Sequence, residues 1–331
     1  MKLLVIGYGS IGKRHVKNIL LSGHEVVLLR HNGNNPNKDG LKEYYSLETL
    51  LSNEGLIDGA VICSPTAIHL PNVKSLLHEN IPFLLEKPPA SDLESTLEMA
   101  RLIKEKGFRK YDIAFNLRYH PVLQFLKDFI SKIGKIYSAH IYAGYYLPYW
   151  RPGTDYRESA SATKNLGGGV HLELAHEIEY SLWLFGIPRF ITGYVNKISS
   201  LEISTNDICS AILEYPNGAI AEIHLDYLSQ KYLRGGRIIA DMGTLEWEWN
   251  AQAGKVLYYG LKKGTSEEIF VLHPGYDFNS TYKEEIENFT GIIRGTKKSI
   301  VTIDTALNTM KVIGAIERAA QEKTWVTLNE L

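Results

Sequence analysis

Cysteine is scarce in this chain: Cys63 and Cys209 are the only two among 331 residues. Two cysteines cannot build a disulfide framework, and neither stands in a metal-ligand spacing, so a disulfide-stapled secreted domain is excluded. A formal net charge of −1 gives no general attraction to nucleic acid or to an anionic membrane. The apolar run Leu3–Ile6 ends at Gly7, too short for a signal peptide, and no run of about 20 apolar residues occurs. We therefore expect a cytoplasmic globular protein without nucleic-acid or membrane partners.

Short, continuously apolar segments alternate with helical patterns over residues 1–118. Continuous apolar runs are typical of strands in a parallel sheet that is covered on both faces. One helical pattern starts at Ser91 or Asp92 and closes at Gly107. The predicted strands are Leu3–Ile6, Glu25–Leu29, Gly59–Cys63, Pro82–Leu85 and Asp112–Phe115. Repeated strand–helix units predict a doubly wound α/β Rossmann domain over residues 1–118.

The pattern changes after about residue 118. Helices are predicted at 121–132, 169–185, 281–294 and 304–322. Strand-like segments separated by turn signals are predicted at 135–146, 190–198, 207–215, 219–228, 235–241, 244–249, 254–260 and 268–272. Short turns between successive strands favour antiparallel pairing. We therefore predict that residues 119–331 form an α+β domain with a large, mostly antiparallel sheet.

The segment Gly7-Tyr8-Gly9-Ser10-Ile11-Gly12 matches the pattern G-x-G-x-x-G. It follows a predicted strand and leads into a helical pattern with Val16, Ile19 and Leu20, the context that a dinucleotide-binding loop requires. The glycines allow a tight turn, close approach of the backbone to a pyrophosphate and close helix–strand packing. The N-terminus of the helix offers N–H groups to the anion. A plain glycine turn is the alternative, and the context favours the dinucleotide.

The end of the second predicted strand bears on the choice between NAD and NADP. Arg30 and His31 stand where an acidic residue would accept the ribose hydroxyls of NAD. The guanidinium of Arg30 could pair with a 2′-phosphate, which slightly favours NADP, or could stack on adenine and accept either cofactor. We predict that both residues contact the cofactor.

Two further segments end predicted strands at the edge where doubly wound sheets bind their ligands. They are Ser64-Pro65-Thr66, with His69 close behind, and Glu86-Lys87-Pro88. We predict that Ser64, Pro65, Thr66, His69, Glu86 and Lys87 face the nicotinamide half of the cofactor. A lysine there could stabilise negative charge on a substrate oxygen during hydride transfer. The alternative is a solvated lysine in an ordinary turn.

The ordered combination of these motifs resembles the Gfo/Idh/MocA oxidoreductases. The resemblance rests on the glycine-rich loop, on SPTAIH at 64–69, on E-K-P at 86–88 and on Asn116-Leu117-Arg118-Tyr119-His120-Pro121. It continues through Gly167-Gly168-Gly169 and the last helices. It implies a Rossmann domain followed by an open-sheet domain, with Lys87 in a catalytic role and homo-oligomers, dimers or tetramers, formed through the open sheet.

The segment NLGGGVHLELAHEIEYSLWLFG carries His171, Glu173 and His176. Its order, H-x-E-x-x-H, differs from the zinc motif H-E-x-x-H, and on one continuous helix the two histidines would point about 140° apart, so we predict no metal. Glu173 and His176 would share a helix face, where the carboxylate could orient the imidazole as a general base. The resemblance implies an aspartate four residues before an acid/base histidine. This chain has a glutamate at spacing three, and we assign His176 as the base with Glu173 beside it. A helix-face histidine satisfied by a neighbour is the alternative.

A long polar and aromatic loop precedes the triple glycine. Aromatic rings can cover sugar or base faces, and arginines can pair with phosphate or carboxylate. The alternatives are an oligomer contact or a solvated lid. The loop resembles that of family members associated with bacterial surface-polysaccharide sugars, whose substrates are typically nucleotide-linked. The predicted substrate-binding residues are Arg118, Tyr149, Trp150, Arg151, Tyr156, Arg157 and His171.

These observations predict an NAD(P)-dependent oxidoreductase that transfers a hydride between nicotinamide and a secondary alcohol or ketone of a sugar, nucleotide-linked in our leading interpretation. His176 would remove the hydroxyl proton, and Lys87 would stabilise the alkoxide. One alternative is a dehydrogenase of a free sugar or cyclitol. Another is a non-catalytic dinucleotide-binding sensor, against which the presence of both Lys87 and His176 argues.

Overall fold

The computed structural model describes residues 1–31, 33, 37–261 and 264–328. The chain divides into two compact units. The first contains Met1–Asn116 together with Asn279–Leu307, and the second contains Leu117–Phe278 together with Asn308–Leu331.

The first unit is built on a six-stranded parallel sheet with the strand order β3-β2-β1-β4-β5-β6. Its strands are β1 (Lys2–Ile6), β2 (Glu25–Leu29), β3 (Glu43–Tyr44), β4 (Gly59–Ile62), β5 (Phe83–Glu86) and β6 (Tyr111–Ala114). Its helices between the strands are α1 (Ser10–Leu21), α2 (Leu47–Glu54), α3 (His69–His78) and α4 (Leu93–Glu105). The predicted Rossmann topology is confirmed, with the two-residue β3 as an addition.

Burial explains why the continuous apolar runs predicted this sheet. Every residue of β4, β5 and β6 is buried, including Asp112 in β6 and Glu86 at the end of β5. A strand covered on both faces has no solvent side, so its sequence does not alternate.

The segment 279–307, predicted as part of the second domain, packs in the first unit instead. It contains α8 (Ser280–Arg294) and the start of α9 (Ile303–Glu322). Ile286 and Phe289 of α8 belong to the same hydrophobic core as Leu3 and Val61. A Cβ on Gly59 would lie 3.1 Å from the ring of Phe289, so the helix lies directly against β4. The apolar face of α8 completes the cover of the parallel sheet.

The second unit is built on a nine-stranded sheet with the order β14-β13-β12-β11-β7-β10-β9-β8-β15. Its strands are β7 (Ile136–Gly144), β8 (Phe190–Asn196), β9 (Ile208–Glu214), β10 (Ile220–Asp226), β11 (Leu233–Ala240), β12 (Gly243–Trp249), β13 (Gly254–Gly260), β14 (Ser266–Val271) and β15 (Val326–Thr327). Neighbouring strands are antiparallel except for β7 and β10, which are parallel. The predicted mostly antiparallel sheet is confirmed.

One face of this sheet is covered and the other is not. Along β9 and β10 every second residue is buried, while Ile212 and Ile220 between them are 36% and 38% exposed. The helices of this unit outside α9 are α5 (Pro121–Phe129), α6 (Val170–Glu173) and α7 (Ala175–Phe185). Within the described residues, no helix is both long and apolar enough to span a bilayer.

The predicted helix at 169–185 is in fact two helices. The backbone leaves the helical region at Leu174, with φ −99° and ψ 30°, between α6 and α7. The angular argument that assumed one continuous helix from His171 to His176 therefore does not hold, and Glu173 and His176 belong to different helices.

Candidate active site

The glycine-rich loop joins β1 to α1 and leaves little room at two of its three glycines. Gly7 has φ +92°, and a Cβ there would lie 2.8 Å from the carbonyl oxygen of Cys63. A Cβ on Gly12 would lie 2.2 Å from the carbonyl oxygen of Gly7. At Gly9, the N-cap residue of α1, a Cβ would meet no described atom within 4 Å. The loop thus packs tightly on β4 while presenting open space at the helix N-terminus, which fits the pyrophosphate of a dinucleotide.

Carboxylates lie near the end of β2. Arg30 Nη1 is 2.8 Å from Glu43 Oε2 on β3. Hydrogen bonds, the largest contribution coming from Tyr45, lower the pKa of Glu43 to about 2. In the glycine-rich loop, Tyr8 donates its hydroxyl to Asp39, and burial together with that contact raises the pKa of Tyr8 to about 12. The positive charge of Arg30 is therefore already paired, and a second carboxylate lies beside the loop. His31, which follows Arg30, is exposed.

A buried histidine ties the ends of β4 and β5 together. His69 is 1% exposed; its Nδ1 lies 3.0 Å from the carbonyl oxygen of Pro88 and its Nε2 lies 3.0 Å from that of Ser64. Burial lowers the pKa of His69, so the ring is neutral and donates to one carbonyl at a time. Pro65 and Thr66, which follow Ser64, reach solvent. The contact holds the predicted nicotinamide segments side by side at one edge of the sheet.

Lys87 is the only residue of 83–90 that is not buried. Glu86 precedes it and is held on both oxygens: Oε1 lies 2.6 Å from His15 Nε2, and Oε2 accepts the backbone N–H of Lys87 at 3.3 Å. A lysine that follows a buried, hydrogen-bonded strand end has its Cα held in place, and Lys87 is partly exposed there. The position differs from that of a lysine in an ordinary surface turn.

The triple glycine of the second unit leads into the two helices that carry its histidines. A Cβ on Gly168 would lie 2.1 Å from the carbonyl oxygen of Ala160, and Gly169 has φ +139°. His171 is 2% exposed, and its Nε2 lies 2.7 Å from Glu317 Oε1. His176 is the second residue of α7 and is 8% exposed. His171 thus has a carboxylate partner 146 residues away that spacing arguments did not indicate.

Two buried arginine–glutamate pairs flank α7 within the second unit. Arg118 Nε donates to Glu179 Oε1 at 2.8 Å, and its guanidinium lies 4.3 Å from the ring centroid of Trp183. Arg234 Nε is 2.8 Å from Glu177 Oε1, and its Nη2 is 3.1 Å from Oε2 of the same carboxylate. Sequence reasoning missed the second pair and assigned Arg118 to substrate. The signal was present in the sequence, since Glu177 and Glu179 stand among apolar residues in HEIEYSLWLF and so need buried cations.

The loop before the triple glycine divides into an exposed and a packed part. Tyr149 is 49% exposed. Trp150 donates its indole N–H to the carbonyl oxygen of Tyr145 at 2.9 Å and packs edge-on against Tyr227, with 5.1 Å between ring centroids. Arg151, the next residue, is half-buried. Tyr149 and Arg151 therefore keep surface for a ligand, while the indole of Trp150 supports the loop.

Farther along the same loop, contacts within the loop and with Glu202, which lies between β8 and β9, hold the side chains. Arg157 Nε lies 2.9 Å from both oxygens of Asp155, and its Nη1 lies 2.9 Å from Glu202. The Tyr156 hydroxyl accepts the backbone N–H of Glu202 at 3.2 Å. A substrate anion would have to compete with these two carboxylates for Arg157.

Taken together, the parallel sheet, the glycine-rich loop and the lysine at its edge define a dinucleotide-dependent oxidoreductase. Two family models match: one described as "Oxidoreductase family, NAD-binding Rossmann fold" over residues 1–112, and one described as "GFO/IDH/MocA C-terminal domain" over residues 125–246. The chain belongs to the Gfo/Idh/MocA family of oxidoreductases.

Individual relatives are distant. The chain is 24% identical to the uncharacterized oxidoreductase YrbE of Bacillus subtilis, over 96% of this chain and 92% of that protein. It is 23% identical to an inositol 2-dehydrogenase of Corynebacterium glutamicum over 68% and 67% of the two chains. Among solved structures, the WlbA dehydrogenase of Bordetella pertussis, in complex with NADH and UDP-GlcNAcA, superposes with a TM-score of 0.80 at 20% identity, over 99% and 98% of the chains. At that identity the likeness shows the fold.

Proposed function

We propose that this oxidoreductase transfers a hydride between nicotinamide and a secondary alcohol or ketone of a sugar. The observation that carries the proposal is the placement of Lys87, the single unburied residue of a strand end that Glu86, His15 and His69 hold in place. Nicotinamide, when bound, accepts or supplies the hydride at the substrate carbon.

The residues of this chain supply the proton transfer and the charge stabilisation. In the oxidation direction His176 takes the hydroxyl proton, and Lys87 donates a hydrogen bond to the developing alkoxide. In reduction the same groups act in reverse.

A nucleotide-linked sugar is our proposal for the substrate. Tyr149 offers an exposed aromatic face, and Arg151 a cation in the same loop. The relatives support a polyol or sugar: one is an inositol 2-dehydrogenase, and one was solved with UDP-GlcNAcA. The inositol 2-dehydrogenase relative also supports the second candidate, a free cyclitol or sugar. In that case the aromatic loop would serve another purpose.

For the cofactor we propose NAD rather than NADP. The sequence slightly favoured NADP on account of Arg30, but the guanidinium of Arg30 is paired with Glu43, and Asp39 lies beside the glycine-rich loop. A carboxylate there accepts ribose hydroxyls and repels a 2′-phosphate. Glu43→Gln should release Arg30 and raise the affinity for NADP relative to NAD, measured as the ratio of the two dissociation constants. An unchanged ratio would show that Arg30 does not reach the adenosine ribose.

We further propose that the chain forms homo-oligomers in the cytoplasm through the uncovered face of its nine-stranded sheet. Exposed apolar residues on β9, β10 and β11, namely Ile212, Ile220 and Ile239, support this, because an apolar sheet face needs a cover. Both cysteines are free and buried, in keeping with a reducing compartment.

Thermal shift followed by turnover assays tests the function. NAD, NADH, NADP and NADPH would each be combined with UDP-, CMP- and GDP-sugars and with free sugars and inositols, since a ligand of the folded state raises the melting temperature. We expect a cofactor shift and a further shift from one nucleotide sugar when cofactor is present. A further shift from a free cyclitol alone would support the second candidate.

Two variants then test the roles of the residues. Lys87→Ala and His176→Ala should each lower kcat by about 100-fold or more while cofactor affinity stays within about threefold. Lys17→Ala and His78→Ala, exposed on α1 and α3, are the matched controls. Full turnover in Lys87→Ala would contradict the catalytic assignment, and a dinucleotide-dependent response without any turnover would favour a sensor.

A further inference from the structure

Three polar residues from distant parts of the chain meet in the interior of the first unit. They are His15 on α1, Glu86 at the end of β5 and Glu285 on α8, and they are 0%, 8% and 2% exposed. One nitrogen or oxygen atom of each lies within 4.8 Å of the corresponding atoms of the other two. We refer to these residues as the interior triad.

Within the triad, His15 and Glu86 are joined by a hydrogen bond. The separation of 2.6 Å between Nε2 and Oε1 is a hydrogen-bond distance. Two ligands of a tetrahedral metal ion, each about 2.1 Å from it, stand about 3.4 Å apart. A proton rather than a metal ion therefore connects the imidazole and the carboxylate.

Glu285 differs from Glu86 in the hydrogen bonding of its carboxyl group. Neither of its carboxylate oxygens hydrogen-bonds to any residue in the part of the chain that the structure describes. The charges that act on it most strongly after its own desolvation are the carboxylates of Glu86 and Asp112. A second or third negative charge buried among these groups would be strongly unfavourable, so the carboxyl group of Glu285 holds a proton.

The arginine of α1 that lies near the triad is engaged by an aromatic ring. Arg14 of α1 lies over the ring of Tyr282, 4.7 Å from its centroid, and that ring meets His15 edge-on. The titratable or charged groups around Glu285 are His15 and Arg14 on α1, Cys63 after β4, Glu86 on β5, Asp112 on β6 and Tyr282 on α8.

We propose that Glu285 is a positioning residue for Lys87: as a neutral acid packed beside Glu86, it fills the space next to the His15–Glu86 pair without adding a second negative charge, and so leaves in place the strand end from which Lys87 extends. The proposal rests on the proposed function for its catalytic consequence. Its link to Lys87 runs through the backbone N–H of Lys87, which Glu86 Oε2 accepts at 3.3 Å. Ionised Glu285 would repel Glu86 and loosen this strand end.

The protonation of Glu285 can be measured without any substrate. Infrared difference spectra of wild type minus Glu285→Gln at pH 8 should show the C=O stretch of a protonated carboxylic acid. At that pH Asp112, whose pKa burial raises to about 6, is ionised and does not contribute. The matched control is Glu284→Gln, exposed on the same helix, which should show no such band. A carboxylate band from Glu285, or a stoichiometric divalent ion in the purified wild-type protein, would overturn the proposal.

Turnover separates positioning from general packing. An amide reproduces the shape and the neutrality of a protonated acid, so Glu285→Gln should keep kcat within about twofold of wild type. Glu285→Ala should lower kcat by about tenfold while the dissociation constant for NAD changes less than threefold. A tenfold loss of kcat in Glu285→Gln would contradict the positioning role of Glu285. Equal losses in kcat and in cofactor affinity in Glu285→Ala would also contradict it. Absence of turnover in every wild-type assay would instead be a failure of the proposed function, and the infrared result would stand by itself.

Discussion

The two sheets of this protein bury their strands in opposite ways. In the first unit β4, β5 and β6 are buried at every residue, and the chemistry-bearing side chains stand where the strands end. In the second unit β9 and β10 bury every second residue, and His176 stands on a helix rather than at a strand end. A sheet covered on both faces leaves only its edge for ligands, whereas a sheet covered on one face leaves a whole surface for another molecule.

The units also differ in how they satisfy buried charge. The second unit neutralises Glu177 and Glu179 with Arg234 and Arg118. The first unit buries Asp112 among hydrogen-bond donors, with no cation in direct contact among the residues that the structure describes, and burial raises its pKa to about 6. Charge pairing thus holds Glu177 and Glu179, whereas hydrogen bonds from neutral donors hold Asp112.

The largest effect should come from breaking a charge pair of the second unit. Arg234→Met leaves the carboxylate of Glu177, whose side chain is 0% exposed, without its cation, and should lower the free energy of unfolding by about 3–5 kcal/mol. Urea denaturation measures the change. Arg157→Met, which removes an exposed ion pair of the same unit, is the control and should shift the midpoint little. Equal shifts in both variants would show that burial does not distinguish the two pairs.

A smaller effect is expected for Asp112 in the first unit. Its carboxylate accepts the backbone N–H of Val301 at 2.8 Å and the side-chain amide of Asn288 at 2.9 Å. Asp112→Asn should cost roughly 1–3 kcal/mol at low pH, because the amide nitrogen accepts no hydrogen bond, whereas the hydroxyl oxygen of the protonated carboxyl group can.

The pH dependence of that cost has a definite sign. A folded pKa of about 6, above the ordinary value of about 3.9, means that the wild type loses stability as the pH rises from about 4 to about 6. The asparagine variant lacks this loss. The difference in free energy of unfolding between wild type and variant should therefore become smaller between about pH 4 and about pH 6. A gap that widens with pH would show that Asp112 is ionised throughout.

The smallest effect on folding, but a clear one on assembly, is expected on the uncovered face of the second sheet. Ile212→Asp should change the stability of the monomer by less than about 0.5 kcal/mol and shift the protein toward monomers in light scattering. Ile187→Asp changes an apolar residue of similar exposure outside the strands of that unit and should leave the oligomer unchanged. A wild-type protein that is already monomeric would contradict the proposed interface.

The sequence predicted the fold well where periodicity was strong. The strands around Val5, Val27 and Val61 were placed correctly, because a double-sided core forces continuous apolar runs. The predicted helix at 169–185 was wrong at Leu174, since nothing in its local pattern marks the break. The sequence placed 279–307 in the second domain, whereas the structure places it in the first unit. The amphipathic spacing of α8 predicts a helix with one apolar face but does not indicate which of the two sheets that face covers.

For the candidate site, the sequence identified residue types but not their partners. The glycines of Gly7–Gly12 and Lys87 follow from motif and position. The pairing of Arg30 with Glu43 could not be predicted, because the acidic residue comes from a two-residue strand too short to show a pattern.

By itself, then, the sequence determined a glycine-rich loop in strand–helix context, a lysine at the end of a buried strand and a mostly antiparallel second sheet, because these depend on local spacing and local backbone geometry. Tertiary structure alone decided which carboxylates are charged. His15 meets Glu86 across 71 residues, and Glu285 joins them from a helix near the other end of the chain. The protonation of a buried acid depends on every group that folding brings near it, and no local pattern contains that information.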